Sequence, residues 1–177
     1  AWMFTLGSAL AFVGCAAFLG PLILMLSPVA LVIVWGYSLA KRFTSLSHLV
    51  LGVALALAPA GVWIALTGTW SHTATLLCLA VGTWVAGFDL IYSCQDAEFD
   101  RHIGLHSIPA RWGIPTALNL SSILHVLTIG FLLGLGMLHG FGWLYFLGMC
   151  VIAGILVYEH SIVHPNDLSR VDKAFFD

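Results

Sequence analysis

The distribution of charge constrains this chain more than any other feature. Asp, Glu, Lys and Arg are absent from three stretches, residues 1–40, 43–88 and 112–158. One helix crosses the hydrocarbon core of a bilayer in about 20 residues, so each stretch is about twice the length of a single crossing. Charged residues make up 8% of the chain and hydrophobic ones 60%, whereas a soluble domain is roughly a quarter charged. A water-soluble fold has no interior large enough for this much apolar side chain, so lipid is the expected solvent.

Each stretch is interrupted near its middle by turn-forming residues: "GPL" at 20–22, "TGTWSH" at 67–72 and "GMLHGFG" at 136–142. Three helical hairpins follow, with six spans at about 1–19, 21–40, 48–66, 72–94, 114–135 and 141–159. The expected fold class is all-α, a polytopic membrane helix bundle. The apolar residues do not alternate, which argues against a transmembrane β-barrel. Gly130 with Gly134, and Gly136 with Gly140, have the small-xxx-small spacing that lets helices approach closely in lipid.

The six basic residues obey the hairpin arithmetic. Lys41 and Arg42 lie between hairpins one and two, Arg101 and Arg111 between two and three, and Arg170 and Lys173 after three. All fall on one side of the membrane, which the positive-inside rule makes cytoplasmic. The net charge of −2 says nothing about partners, but the lack of a basic tract argues against nucleic acid. Cys15, Cys78, Cys94 and Cys150 are scattered without metal-binding spacing and read as small apolar residues.

Against this background, "DLIYSCQDAEFDRHIGLHS" at 89–107 gathers four of the eight acids. If the fourth helix continues through residue 100, Asp89, Tyr92, Asp96 and Asp100 form one stripe from inside the membrane to its rim. Glu98 points elsewhere and reads as a solvated charge, and Gly104 reads as the helix stop. Three carboxylates on one face repel each other and call for a cation. Hard oxygen ligands suit Mg²⁺, which binds one or two carboxylates together with substrate phosphates and water. Lys41, Arg42, Arg101 and Arg111 share this side and suit leftover diphosphate oxygens, although topology alone also places basic residues there. His102 and His106 have i, i+4 spacing, but two ligands with Gly104 between them make a poor zinc site. The other six histidines, His48 among them, carry no assigned chemistry. The tryptophans fit interface belts or packing.

"DLIYSCQDAEFDRHIGLHSIPARWG" resembles the second Asp-rich motif of the UbiA superfamily of intramembrane prenyltransferases. "WGYSLAKRFTSLSHLVLGVALALAP" at 35–59 resembles the region between that family's fourth and fifth helices, and "HPNDLSRVDKAFF" the loop before its last helix. The likeness covers nearly the whole chain. It implies a nine-helix fold around a central cavity, a multi-pass location in the bacterial inner membrane, and Mg²⁺ as cofactor. The implied partners are a polyprenyl diphosphate and an aromatic acid acceptor, such as 4-hydroxybenzoate or 1,4-dihydroxy-6-naphthoate, in ubiquinone or menaquinone biosynthesis.

By the same resemblance, Asp96 and Asp100 take the Mg²⁺-diphosphate role, Asp89 and Tyr92 support it, and Lys41 with Arg42 matches the basic pair near the acceptor or diphosphate pocket; Arg101 and His106, on the same side, are further candidate substrate contacts. Two departures stand out. The family's first motif, NxxxDxxxD, is absent, and His106 stands where many members have Lys. The chain opens as Ala1-Trp2-Met3 and ends on "DKAFFD". The expectation is a single domain over 1–177 that starts at the family's third helix, stops before its ninth, and is inactive alone. An ion-coupled transporter would explain Asp89, but not the DxxxD at a membrane rim beside a Lys-Arg pair. A CDP-alcohol phosphotransferase needs a DG and an AR upstream of its final DxxxD; there is no DG, and the "AR" at 110–111 lies downstream.

Overall fold

The computed structural model describes residues 2–171. Eight helices follow in chain order: α1 (Trp2–Leu19), α2 (Pro21–Ala40), α3 (Ser47–Thr67), α4 (His72–Ser93), α5 (Ala97–His102), α6 (Ile108–Trp112), α7 (Ile114–His139) and α8 (Trp143–Ile162). Among the described residues there are no strands, only an isolated bridge between His164 and Asp167. Six of the helices are long and apolar enough to span a membrane, in the expected order. Lys173 and the end of the "HPNDLSRVDKAFF" segment lie outside the described residues.

The turn residues act where expected. Gly20 (φ 127°) precedes Pro21, which starts α2. Gly68 closes α3 in the left-handed region, and the Ser71 side chain caps α4 by accepting from the Ala74 amide at 3.2 Å. At the third break only Gly140 (φ 59°) ends a helix. Gly136 stays inside α7, so α7 runs to His139, four residues past the expected end. Pro28 is inside α2 and has no N–H for the Leu24 carbonyl four residues earlier. Ser27 Oγ donates to that carbonyl at 2.9 Å, so the apolar surroundings meet no orphaned acceptor.

The centre of the bundle is α4 against α7. In their apolar windows 39% and 33% of residues are buried, compared with 6% in each of α1, α2 and α3. Large apolar side chains face outward instead, Phe18 and Leu66 among them, as lipid permits. Small residues set the closest approaches. The space a Cβ would occupy on Gly52 of α3 is filled by the Gly82 carbonyl of α4, with Ala86 beside it. Gly87 of α4 meets the His125 ring of α7, and Gly136 of α7 meets the Tyr145 ring of α8. These are not all the glycines that spacing picks out. Gly134 touches only Leu76, and Gly130 faces open space, because helical spacing alone does not say which face meets a neighbour.

Polar side chains tie the central helices together. Ser121 Oγ donates to the Gly87 carbonyl at 2.7 Å, and the hydroxyls of Thr83 and Thr128 lie 2.8 Å apart. Between α7 and α8, Tyr145 donates to the Leu132 carbonyl at 2.7 Å. The rings of His125 and His160 meet at 2.9 Å, Nδ1 to Nε2. The tautomers follow for neutral rings. His125 Nε2 faces the Trp84 carbonyl at 3.3 Å, which only accepts, so Nε2 holds the hydrogen and Nδ1 accepts from His160 Nε2. His160 Nδ1 lies 3.2 Å from Ser122 Oγ, whose hydroxyl donates to the Leu118 carbonyl at 3.0 Å.

The α3–α4 crossing gives a direct test. Gly52→Ala places a methyl group against a backbone carbonyl and should destabilise the bundle by about 1–3 kcal/mol. Gly61→Ala, on the same helix with nothing within 4 Å, should leave stability unchanged or slightly raised. Thermal unfolding in detergent, followed by circular dichroism, distinguishes the two. Equal melting temperatures would refute the close crossing.

Candidate functional site

One end of the bundle collects the polar residues. Lys41 caps α2, the connection 41–46 leads into α3, and His48 lies in the first turn of α3. Asp89 and Tyr92 lie in the last turns of α4. Helix α4 then stops at Ser93, the chain turns through 94–96, and α5 starts with Asp96 at its N-cap. The continuous helix expected through residue 100 is therefore corrected to a helix, a turn and a second short helix. Cys94 fills the turn: it is buried, its Sγ sits 3.3 Å from the Leu90 carbonyl, and burial pushes its thiol up to about 12. Such a thiol is an inert packing group rather than a nucleophile.

Gly104 (φ 74°) ends α5, as expected. The Leu105 amide donates to the Asp100 carbonyl at 2.8 Å and the Gly104 amide to the Arg101 carbonyl at 3.4 Å, the two bonds of a Schellman cap. This cap turns the chain back toward α2, where the His106 amide donates to the Lys41 carbonyl at 2.7 Å. His102 and His106 are thus separated by a left-handed residue and do not share a helical face. Among the described residues, no group of three His, Cys, Asp or Glu side chains could hold a metal.

The acids are not a bare, mutually repelling stripe. Asp100 is 1% exposed, and its Oδ2 lies 3.1 Å from Lys41 Nζ. Asp89 Oδ2 lies 2.6 Å from His48 Nδ1, and His48 is fully buried. Tyr37, one turn before Lys41 on α2, is close enough to Asp89 to feel its charge. The two inner carboxylates therefore turn toward the α2–α3 connection and find partners there. Asp96 is exposed, as are Glu98 and Tyr92. Asp96 and Asp100 remain one helical turn apart, the Asp100 amide donating to the Asp96 carbonyl at 2.8 Å.

The remaining basic residues divide. Arg42 is exposed at the end of α2. Arg101 Nε donates to the Ala110 carbonyl at 3.3 Å, which ties α5 to α6. The Arg111 guanidinium sits 5.8 Å from the centre of the neighbouring Trp112 ring. Lys41 is thus brought to Asp100 and the His106 backbone to Lys41, whereas Arg42, Arg101 and Arg111 are exposed. Sequence reasoning missed His48 and Tyr37. The available signal was their placement: both are polar residues near the ends of charge-free spans, on the side where the acids gather.

Two carboxylates one turn apart are a fair donor set for a magnesium ion that takes its other ligands from phosphate and water. Asp96 has an exposed carboxylate to offer; Asp100 already shares its charge with Lys41. An apolar groove of about 510 Å³ between α3 and α4 begins at Leu49, next to His48, and runs past Val53, Leu57 and Leu79 to Trp70 at the far end.

The Lys41–Asp100 pair makes a stability prediction. Lys41→Met leaves a buried, uncompensated carboxylate and should cost about 3–5 kcal/mol. Asp100→Asn should cost less, because the Lys41 chain, 26% exposed, can carry its ammonium to water. Chemical unfolding of the two variants in detergent measures the order. Equal losses would refute the pairing as the reason Asp100 is tolerated in the interior.

The comparisons with known proteins agree with this architecture. The 4-hydroxybenzoate solanesyltransferase of Synechocystis sp. is 36% identical over 94 residues, 53% of this chain and 32% of that protein. The 4-hydroxybenzoate octaprenyltransferase of Sodalis glossinidius is 35% identical over 95 residues, 54% of this chain and 33% of that protein. The matched stretches thus span about a third of these relatives. Among solved structures, the apo structure of a UbiA homolog from Aeropyrum pernix K1 superposes with a TM-score of 0.87 at 31% identity, over 98% of this chain and 65% of that one. The UbiA prenyltransferase family matches residues 1–177, and the chain belongs to that family.

Proposed function

We propose that the protein containing this chain transfers a polyprenyl group from a polyprenyl diphosphate to an aromatic acid in quinone biosynthesis, with 4-hydroxybenzoate as first candidate acceptor and 1,4-dihydroxy-6-naphthoate as second. The observation that carries this reading is the polar end itself. In a family of prenyltransferases, Lys41, Asp100, Asp96, Asp89 and the His106 loop meet where apolar helices reach the membrane rim. The 4-hydroxybenzoate acceptor is supported by the names of the similar bacterial enzymes. The groove from Leu49 to Trp70 is long and apolar, which suits an isoprenoid chain.

Asp96 and Asp100 would hold Mg²⁺. When bound, the ion supplies positive charge against the negative charge that builds on the departing diphosphate. Lys41, already at Asp100, adds a cationic donor for phosphate oxygens, and Arg42 at the exposed rim adds another. The allylic carbon–oxygen bond breaks with its electron pair leaving on diphosphate. The ring carbon beside the phenol oxygen forms the new bond, and the ring then loses a proton. Apolar walls keep water from the allylic cation. This chemistry belongs in a multi-pass protein of the bacterial inner membrane with its acidic end toward the cytoplasm, where the basic residues also gather. Chain 1–177 forms one domain in this reading. An ion-coupled transporter would leave the Lys41–Asp100 pair at the rim without a role.

Reconstitution of the complete protein with Mg²⁺, a polyprenyl diphosphate and either acceptor tests the proposal, with prenylated product read by mass spectrometry. Asp96→Ala and Asp100→Ala should each lower kcat by about a hundredfold or more, the scale of losing one preorganised electrostatic partner of the transition state. Product formation unchanged in both variants would overturn the assigned roles.

A further inference from the structure

His48 is a residue to which the transfer reading gives no part. It is fully buried in the first turn of α3, and its Nε2 has no hydrogen-bond partner among the described residues. Its Nδ1 lies 2.6 Å from Asp89 Oδ2. The register that produces this contact is set elsewhere. Gly52 lies one turn beyond His48 on α3 and packs on the backbone at Gly82 and on Ala86, one turn before Asp89 on α4. Two helices locked that closely in an antiparallel sense bring position 48 to position 89 without adjustment.

The buried, unpartnered Nε2 fixes the form of the ring. An N–H there would be a buried donor without an acceptor, and in a protonated ring it would also share the positive charge. A bare nitrogen costs less. The ring is therefore neutral, with its hydrogen on Nδ1 pointing at Asp89. Asp89 is held at Oδ2 and keeps 16% of its side-chain surface exposed, so the carboxylate is not sealed off.

We propose that His48 is a positioning residue for the prenyl transfer: as a neutral Nδ1–H donor it fixes the Asp89 carboxylate so that one edge alone is presented to the reacting end of the bundle. This role rests on the transfer reading, because it needs Asp89 to act on a substrate. It also explains why a histidine, rather than a longer or cationic side chain, sits at position 48. The site needs a rigid donor of fixed reach without a positive charge.

Steady-state kinetics on the complete, reconstituted protein test it. His48→Leu fills the space without a donor and should lower kcat about tenfold to a hundredfold, the usual cost of losing a residue that orients a functional ligand, with KM for the polyprenyl diphosphate unchanged. His48→Asn places an amide N–H where Nδ1–H stood and should recover most of the loss. A purely structural role would show as lowered melting temperature in both variants without rescue of kcat by Asn. Wild-type kcat in His48→Leu, or no rescue in His48→Asn, overturns the proposal. A second arm is independent of turnover. ¹⁵N NMR of histidine-labelled protein, with the His48 signals assigned by their loss in His48→Asn, should show a protonated Nδ1 and a bare Nε2. A protonated Nε2 overturns it. If the wild-type protein forms no prenylated product, the transfer reading is what fails, and the spectrum alone decides how His48 holds Asp89.

Discussion

A carboxylate at the end of an apolar bundle is stable only beside a group that shares its charge. Ionised side chains facing lipid at mid-membrane cost about 2.5–3.5 kcal/mol even on the mildest scales, and a fully buried, unpaired charge costs more. Asp89 and Asp100 meet that demand in different ways. Asp100 takes the ammonium of Lys41; Asp89 takes the ring of His48. Both partners come from one short segment, 41–48, which joins α2 to α3. The helix ends therefore converge on that connection, and the His106 amide joins it through the Lys41 carbonyl. The polar end is organised around the α2–α3 connection rather than around the acidic segment alone.

Pairing at these distances requires the helices to be placed to within a fraction of an ångström, and apolar surface alone does not do that in lipid. Packing of small residues does. The Gly52 contact with the Gly82 backbone and the Gly87 contact with His125 remove the freedom of α3, α4 and α7 to slide. Buried hydroxyls such as Ser121 then add directional bonds across α4 and α7. The fold and the site are thus two consequences of one set of close crossings.

The six spans were legible because length, apolar content and turn residues are local properties, and each break carried a glycine or proline with a defined backbone role. The extra turn at the end of α7 was not, because Gly136 serves packing against Tyr145 while Gly140 serves termination, and both look alike in sequence. The continuous acidic stripe failed for a related reason: helical periodicity extrapolates only while the helix lasts, and α4 stops at Ser93. Lys41 lies beside Asp100. His48 went unread because its importance comes from a partner 41 residues away, which no local pattern reveals. The close glycine pairs were hidden for the same reason, since spacing marks Gly130 as readily as Gly52.

The division of the acids into paired and exposed members also bears on how an amphiphile would be handled. A polyprenyl diphosphate joins a dianionic or trianionic head to a hydrocarbon tail, and its best position is a boundary between an ion-binding rim and an apolar groove. If all three carboxylates were open, an anionic head would be repelled until cations filled the site. With Asp100 balanced by Lys41, the inner site has less uncompensated negative charge, and of the three carboxylates Asp96 stands most exposed. Under the proposed function, such an arrangement would let the head arrive with its metal at the outer edge, where water still solvates both, while the tail would enter the groove beginning at Leu49. The cost of desolvating the charges is then met in steps along the path rather than all at once at the centre.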